Sequence, residues 1–460
     1  MSALWTSAEA DVATLGHSTQ AFEATGMSID TRTLQPGDLF VALKGDARDG
    51  HDFVKAAFDA KASGALVSRD VDGARGPLLK VGHVQRGLED LARASRARSH
   101  AKIIAVTGSA GKTTTKEMLR LAFGALGTTH ASAASYNNHW GVPLSLASMP
   151  RSTQYGVFEV GMNHFGELRN LVSFVRPHVA LITTIAPAHL EFFGNCDAIA
   201  DAKSEIFEGV LPGGSALIPA DSQYAQRLTA RARQTGVSQI LSFGANGTDA
   251  RLIGFSETED GMRVQSEILG RRVDFRIGAP GVHIAGNAVG ALLAVGVLEG
   301  DVLNAAAALS QFAALKGRGA RFKVKAGSGT AEVIDESYNA NPASMAAALA
   351  LLGSANAKRR IAALGDMLEM GPDGPEHHAA LAKEIEAARV DNVYLNGPQM
   401  RSLWDKLPES RRTAYADLSS ENAPLVANAI QDGDVVLVKG SLGSRMAAII
   451  DALKARGLAS

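Results

Sequence analysis

The sequence contains almost no cysteine, no excess of either charge and no long apolar run. Cys196 is the single cysteine among 460 residues, so the chain can form neither an internal disulfide nor a cysteine-based zinc cluster. Lys and Arg number 46 against 47 Asp and Glu, a balance that gives no basic field for nucleic acid or an anionic membrane. We therefore expect no nucleic-acid partner and no membrane insertion.

Targeting signals are also missing from the sequence. The stretch MSALWTSAEAD lacks the basic and apolar segments of a signal peptide. The most apolar stretches elsewhere are too short and too interrupted to span a bilayer. These absences predict a soluble, cytoplasmic protein, and a monomer is the default expectation.

Short apolar runs alternate with segments of helical periodicity along most of the chain, the pattern of an α/β protein. The alternation falls into three blocks, which predict three domains at residues 1–99, 100–315 and 316–460. The first is a small α/β unit, and the other two each predict a parallel sheet covered by helices, the last one Rossmann-like. Residues 251–278 alternate apolar and polar positions around Gly and Asp turns, which predicts a small antiparallel meander.

The stretch AVTGSAGKTTT, residues 105–115, joins an apolar strand to a helix through a glycine-bearing turn. In this setting the free N–H groups at the helix start and the helix dipole favour a bound phosphate. Lys112 would reach the β- and γ-phosphates of a nucleotide, and the Thr113 hydroxyl would bind Mg²⁺. The usual Walker pattern has glycine where Val106 stands, so an ordinary turn with an exposed lysine is the alternative.

The segment TGSAGKTT resembles the ATP loop of the Mur ligase family, the ATP-dependent amide-forming enzymes of peptidoglycan precursor synthesis. That family tolerates a residue other than glycine at the position of Val106. The resemblance implies a central P-loop ATPase domain. It further implies that ATP is bound by the loop residues Thr107, Gly108, Ser109, Ala110, Gly111, Lys112, Thr113 and Thr114.

Three further polar residues are ambiguous when taken alone. Glu159 ends an apolar strand, where a buried acid is either salt-bridged or bound to a metal. A single His189 is more often a structural hydrogen-bonding group, and a single helix residue such as Lys203 is usually solvated. The resemblance implies that Thr113 and Glu159 hold one Mg²⁺ and that His189 and a carbamylated Lys203 hold a second. It also implies catalytic roles for Lys112, His189 and Lys203.

The resemblance extends to the rest of the nucleotide site. GVHIAGN resembles the family's adenine-contacting stretch, in which Asn287 is retained while Ile284 replaces the first asparagine. KGRGARF offers Arg318 or Arg321 for a phosphate contact, and we favour Arg318 because it follows KG, as the family's arginine follows a glycine. The other implied ATP contacts are Asn138, Asp335 and Glu336, the last standing where the family has Asp.

IDESYNANPASM, residues 334–345, closely resembles the signature of the family branch that adds D-alanyl-D-alanine to UDP-N-acetylmuramoyl-tripeptide. The resemblance implies that Asn339 and Asn341 contact the peptide end of the substrate. DTRTLQPGDLFVALKG resembles the family's UDP-binding segment, which implies that Thr31, Arg32 and Lys44 face the nucleotide end within an N-terminal UDP-binding domain.

The implied activity is the ATP-driven synthesis of UDP-MurNAc-pentapeptide through an acyl phosphate and a tetrahedral intermediate. One alternative is another amide ligase of the superfamily, but no Arg-bearing D-N-P-R-like stretch is present. A second is a non-catalytic, ATP-gated scaffold, which would be expected to have lost phosphate and metal contacts that this sequence keeps. A GTPase is disfavoured because there is no N-K-x-D stretch. Whether the tripeptide carries meso-diaminopimelate or lysine stays open.

Overall fold

The protein, described by a computed structural model over residues 3–133, 135–258 and 261–459, contains three large β-sheets in chain order. A fourth, two-stranded sheet pairs β1 (Trp5–Thr6) with β3 (Glu23–Ala24). The large sheets are mainly parallel and carry helices on their faces, so the predicted α/β fold is confirmed.

The first part of the chain forms a small α/β unit. Its remaining elements are α1 Ser7–Thr14, β2 His17–Ser18, β4 Gly26–Ser28, β5 Asp38–Val41, α2 Val54–Asp59, β6 Gly64–Val67, β7 Leu78–Lys80 and α3 Val84–Ala97. The strand order is β2-β7-β6-β5-β4, and only the β2–β7 pair is antiparallel. Every residue of β5 and β6 is buried, as a parallel strand with both faces covered requires. Helix α3 buries Val84, Leu88 and Leu91, which share one helical face.

The central part contains a nine-stranded sheet. Its elements are β8 Lys102–Thr107, α4 Lys112–Gly124, β9 Thr129–Ala131, α5 Gly141–Ala147, β10 Tyr155–Glu159, α6 Glu167–Val175, β11 Val179–Ile182, α7 Leu190–Phe193, α8 Cys196–Ser204, β12 Ser215–Pro219, α9 Ala225–Gln234, β13 Gln239–Gly244, β14 Ala250–Thr258, β15 Gly261–Ile268, β16 Arg271–Ile277, α10 Val282–Val297 and α11 Val302–Ala308. The order is β16-β15-β14-β13-β12-β11-β8-β10-β9. Strands β14, β15 and β16 pair antiparallel, which confirms the predicted meander.

Strand β8 has β10 on one side and β11 on the other, and all three are parallel. The sequence neighbours of β8 therefore lie on opposite sides of it, and their carboxyl ends open at one edge of the sheet. In open α/β sheets, ligands bind in the crevice at such a switch point. The loop after β8, residues 108–111, begins there.

The third part contains a six-stranded sheet. Its elements are β17 Ala320–Ala326, β18 Gly329–Glu336, α12 Pro342–Ser354, β19 Arg359–Gly365, α13 Gly374–Ala387, β20 Asn392–Asn396, α14 Arg401–Lys406, β21 Arg412–Ala416, α15 Ser419–Ala429, β22 Asp434–Lys439 and α16 Ala447–Ala455. The order is β17-β18-β22-β19-β20-β21, with only β17 antiparallel. Two separate apolar clusters pack on this sheet.

The first and central parts share one apolar cluster, which includes Trp5 and Leu88 from the first and Ile103 and Leu171 from the second. The indole N–H of Trp5 also donates to the carbonyl oxygen of Ala147 at 2.9 Å. We keep residues 99 and 315 as the proposed domain boundaries, because they fall between α3 and β8 and shortly before β17. Among the described residues, no helix has both the length and the hydropathy needed to cross a bilayer.

Candidate active site

A cleft of about 990 Å³ lies between the central and third sheets. The central sheet contributes the loop after β8, the ends of β10 and β11 and the start of α10. The third sheet contributes residues within 336–348 and 439–443. The cleft therefore lies at the switch point of the central sheet and is closed on its other side by the third part of the chain.

The loop between β8 and α4 has the backbone of a phosphate cradle. Gly108 and Gly111 have φ of +152° and +80°, values that side chains rarely adopt. A Cβ at Gly108 would also collide with Thr183 Oγ1, and one at Gly111 would come 2.8 Å from Asn287 Nδ2. Lys112 Nζ donates to the Gly108 carbonyl oxygen at 2.8 Å, which folds the lysine back over the loop. Burial lowers the pKa of Lys112, and the nearby Glu159 charge opposes that shift.

Glu159 is a buried carboxylate at the end of β10, with 1% of its surface exposed. Its Oε2 accepts from the Thr113 hydroxyl at 2.8 Å, and its Oε1 accepts from Asn137 Nδ2 at 2.7 Å. Both partners are neutral, and Glu159 lines the cleft. A buried carboxylate held beside a hydroxyl by neutral partners fits Mg²⁺, which prefers oxygen ligands.

His189 and Lys203 differ in their surroundings. His189 lines the cleft just before α7, and its Nδ1 lies 2.5 Å from Glu369 Oε2 of the third part. Lys203, on α8, is 1% exposed, and burial lowers the pKa of its amine well below the usual range, helped by the charge of Lys112. No group of three His, Cys, Asp or Glu residues suitable for a metal exists in the described part of the chain.

The structure distinguishes the two adjacent asparagines. Asn137 lines the cleft and holds Glu159. The side chain of Asn138, which the sequence singles out, instead accepts from the N–H groups of Trp140 and Gly141 at 3.2 and 2.9 Å, at the start of α5. The Asn138 side chain therefore holds the turn that leads into α5. Asn137, which the sequence analysis does not single out, is the one of the two that lines the cleft.

The structure also distinguishes the two arginines near residue 320. Arg318 lines the cleft, donates to Ser135 Oγ at 3.1 Å and stacks on the Tyr338 ring at 4.0 Å from its centroid. Ser135 Oγ in turn lies 3.4 Å from Thr113 Oγ1, next to the phosphate loop. Arg321 instead pairs with Glu332 at 3.2 Å along the β17–β18 hairpin. The preference for Arg318 thus agrees with its position in the cleft.

Asp335 and Glu336 have separate environments. Asp335 is buried and accepts from the Gly317 backbone N–H and the Ser337 hydroxyl, which fixes the turn before β17. Glu336 lines the cleft and pairs with Lys439 at 3.3 Å. Lys439 is 1% exposed and also donates to the Asn339 carbonyl oxygen at 2.9 Å. It is a second cleft residue that the sequence analysis does not single out, and it lies at the end of β22.

Asn339 and Asn341 both line the cleft. Asn341 caps α12 by accepting from the Ser344 N–H at 2.9 Å, while its Nδ2 donates to the Ser109 carbonyl oxygen at 3.4 Å. This bond connects the third part directly to the phosphate loop. Asn287, on α10, lines the opposite side beside Gly111.

The residues predicted to face the UDP end lie outside this cleft. Thr31 and Arg32 follow β4, and Lys44 follows β5, so all three are at the carboxyl edge of the first sheet. Arg32 is largely exposed and pairs with Asp30 at 2.6 Å. The first sheet thus presents a separate polar surface, compatible with a long substrate whose two ends are bound at different places.

Comparisons with known proteins define the family. Three Mur ligase profiles match consecutive segments: the family's catalytic domain at residues 23–96, its middle domain at 106–295 and its glutamate ligase domain at 320–442. The "UDP-N-acetylmuramoyl-tripeptide--D-alanyl-D-alanine ligase" of Rickettsia prowazekii is 32% identical over 97% of this chain and 99% of its own length. The chain therefore belongs to the Mur ligase family.

Further relatives carry the same description. The Escherichia coli protein of that name is 33% identical over 94% of both chains. A crystal structure of MurF from Acinetobacter baumannii superposes with a TM-score of 0.85 at 30% identity, covering 98% of each chain. MurF from Thermotoga maritima in complex with ADP, at 23% identity, has a TM-score of 0.78 over 94% of this chain and 97% of its own, and supports the fold.

Proposed function

We propose that this chain uses ATP to join D-alanyl-D-alanine to the terminal carboxylate of UDP-N-acetylmuramoyl-tripeptide, giving the UDP-MurNAc-pentapeptide of peptidoglycan synthesis. The observation that carries the proposal is one cleft in which the phosphate loop, the buried Glu159 and the Asn339–Asn341 segment meet. The names of full-length relatives support the same activity.

The reaction needs ATP because a carboxylate is a poor electrophile. A carboxylate oxygen of the tripeptide attacks the γ-phosphorus of ATP, ADP leaves, and an acyl phosphate forms. The amine of D-alanyl-D-alanine then attacks the acyl carbon, giving a tetrahedral intermediate. This intermediate collapses with loss of phosphate and of the amine proton, and an amide bond results.

The cleft residues suit the charge that develops in phosphoryl transfer. Lys112 and Arg318 both line the cleft. Both would offset the negative charge on the oxygens of the transferring phosphate. Thr113 and Glu159 would hold one Mg²⁺, and His189 with carbamylated Lys203 would hold a second. Bound Mg²⁺ supplies further charge neutralisation at the phosphates.

Carbamylation of Lys203 requires a neutral amine, which attacks CO₂ and loses a proton to give a carbamate. Burial beside Lys112 favours the uncharged amine and therefore this reaction. The test is ¹³C NMR of protein equilibrated with ¹³C-bicarbonate. A carbamate resonance in the wild type that disappears in Lys203→Ala supports the proposal, and spectra without it in both proteins would contradict it.

The remaining contacts divide between the two ends of the substrates. Asn287 contacts the adenine, and Glu336, placed by the turn that Asp335 fixes, contacts the ribose. Thr31, Arg32 and Lys44 bind the UDP end, while Asn339 and Asn341 approach the peptide end. Asn138 supports the phosphate site indirectly, through the start of α5. We further propose a monomer located in the cytoplasm, where UDP-linked precursors and ATP are available, and light scattering tests the monomer.

The proposed activity is tested by mixing the purified protein with ATP, Mg²⁺ and D-alanyl-D-alanine. The meso-diaminopimelate tripeptide and the lysine tripeptide are supplied in separate reactions. Pentapeptide detected by mass spectrometry, with one phosphate released per product, supports the proposal and identifies the third residue. ATP binding without pentapeptide from either tripeptide would contradict it.

A further inference from the structure

A contact between His189 and Glu369 joins the central and third parts at the edge of the cleft. The two residues are 180 positions apart, and Nδ1 of His189 lies 2.5 Å from Glu369 Oε2. The neighbouring backbone reinforces the contact, because the Glu191 N–H donates to the Glu369 carbonyl oxygen at 3.1 Å. Leu190 packs against the apolar clusters of both parts. The contact is therefore a docking point between the two parts.

Both partners have an unusual backbone conformation. His189 has φ of +57° and Glu369 has φ of +61°, in the left-handed region that residues other than glycine seldom occupy. Gly371, at φ +67°, allows the third part to approach closely, since a Cβ there would come 3.3 Å from the Glu191 Cα. Strained positions of this kind persist where the surrounding structure fixes them, often at ligand-binding sites.

The contact also determines which ring nitrogen of His189 carries a proton. A carboxylate can only accept a hydrogen bond, so Nδ1 of His189 carries the proton. In the neutral ring, Nε2 then keeps its lone pair, which is the form that binds a metal. Carboxylates that hold the far nitrogen of a ligating histidine fix both its tautomer and its orientation.

We propose that Glu369 is a positioning residue that prepares His189 to bind Mg²⁺ only when the third part is docked on the central part. The inference rests on the proposed role of His189 as an Mg²⁺ ligand. Separation of the two parts would remove Glu369 from Nδ1 and release the ring. Coupling between two equilibria is reciprocal. If docking raises the affinity for Mg²⁺ by some factor, Mg²⁺ bound with ATP therefore raises the docking equilibrium constant by the same factor.

Docking can be measured without turnover. In a Cys196→Ser background, Arg233→Cys on α9 and Glu386→Cys on α13 place spin labels on exposed surfaces of the two parts. The population with the short label distance is followed while Mg²⁺ is added at a fixed concentration of a non-hydrolysable ATP analogue. This titration is carried out for the parent, Glu369→Ala and Glu369→Gln, with the exposed Glu376→Ala on α13 as the matched control.

We expect the Mg²⁺ concentration for half-maximal docking to rise about 10-fold or more in Glu369→Ala, the range typical for loss of a group that holds a metal ligand. Glu369→Gln, whose amide oxygen can still accept from Nδ1, should recover part of the loss, and Glu376→Ala should match the parent. In ¹⁵N spectra of histidine-labelled protein, His189 should have a protonated Nδ1 in the parent and mixed tautomers in Glu369→Ala.

The inference is overturned if Glu369→Ala docks at the same Mg²⁺ concentration as the parent, or if its His189 keeps the same tautomer. This outcome is separate from failure of the proposed function. A parent protein that makes no pentapeptide but shows Mg²⁺-dependent docking through Glu369 would overturn the function alone. Normal pentapeptide synthesis with unchanged docking in Glu369→Ala would overturn this inference alone.

Discussion

The hydroxyl of Thr113 donates a 2.8 Å hydrogen bond to the carboxylate of Glu159, 46 positions further along the chain. The bond joins the first turn of α4 to the end of β10, the strand adjacent to β8. It places a buried acid directly beside the phosphate loop. The Glu159 carboxylate therefore lies where the Mg²⁺ that we propose to arrive with the nucleotide would be held.

Replacement of Glu159 by Gln should abolish most ligase activity without unfolding the protein. Glutamine keeps the shape of the side chain but removes the charge proposed to hold Mg²⁺. We expect turnover to fall by about 10²-fold or more, the cost typical of losing one electrostatic group in a closed site. Steady-state kinetics measures the loss, and a melting temperature close to that of the wild type serves as the control. Turnover within threefold of the wild type would contradict the metal role.

Arg318 and Arg321 should respond differently to alanine substitution. Arg318 lines the cleft beside Ser135, whereas Arg321 makes a partly exposed pair with Glu332. We expect Arg318→Ala to lower turnover by about 10²-fold, because a charge offered to the phosphate is lost. Arg321→Ala should stay within about twofold, since exposed ion pairs contribute little. Equal losses in both variants would contradict the assignment of Arg318.

The two adjacent asparagines offer a second matched pair. Asn137→Ala removes a donor to Glu159 and should lower turnover more than it lowers the melting temperature. Asn138→Ala removes the acceptor that holds the turn before α5 and should destabilise the protein by about 1 kcal/mol while leaving most activity. Thermal denaturation and initial rates measured on the same samples separate the two effects. The reverse pattern would show that Asn138 is the site residue.

The free energy of unfolding should decrease as the pH is lowered, and His378 is one cause of this decrease. Its Nδ1 donates to the Gly374 carbonyl oxygen at 2.6 Å, and its Nε2 accepts from the Met367 N–H at 2.9 Å. Burial lowers the pKa of this histidine, so the unfolded chain takes up its proton at a higher pH than the folded one. This contribution to stability is complete above pH about 6.5 and is lost as the pH falls below it.

The variant His378→Phe tests this dependence. It should melt at a lower temperature than the wild type at pH 7.5, because the Met367 N–H and the Gly374 carbonyl lose their partner, at about 1–3 kcal/mol for each buried group left unsatisfied. The difference should narrow between pH 7 and pH 5. His100→Gln, at an exposed position before β8, is the control and should follow the wild-type curve. A constant difference across this range would rule out His378 as the titrating group.

Local patterns were sufficient to predict the fold class, the strand–loop–helix unit that carries Lys112 and the meander. The alternation of apolar runs with helical segments, and the Gly and Asp residues spaced through positions 251–278, are properties of consecutive residues. The preference for Arg318 over Arg321 came from the neighbouring KG, and the structure places Arg318 in the cleft. The roles of all these side chains in ATP binding remain predictions.

Other site residues could not be found from the sequence, because their partners are distant. Glu369 meets His189 across 180 positions, and Lys439 meets Glu336 across 103. Only the packing of the third sheet against the central one brings these groups together. The position of Asn137 in the cleft could not be found for a different reason, since adjacent asparagines look equivalent until the turn before α5 is known.

The central claim is tested most directly with UDP-MurNAc-tripeptide whose terminal carboxylate carries ¹⁸O at both oxygens. The labelled substrate is incubated with ATP, Mg²⁺, D-alanyl-D-alanine and the purified protein, and both products are analysed by mass spectrometry. If an acyl phosphate forms, one carboxylate oxygen leaves with the phosphate, so we predict one ¹⁸O in each phosphate and a pentapeptide that has lost one ¹⁸O. Pentapeptide accompanied by unlabelled phosphate would contradict the acyl-phosphate route, and the absence of pentapeptide would contradict the ligase itself.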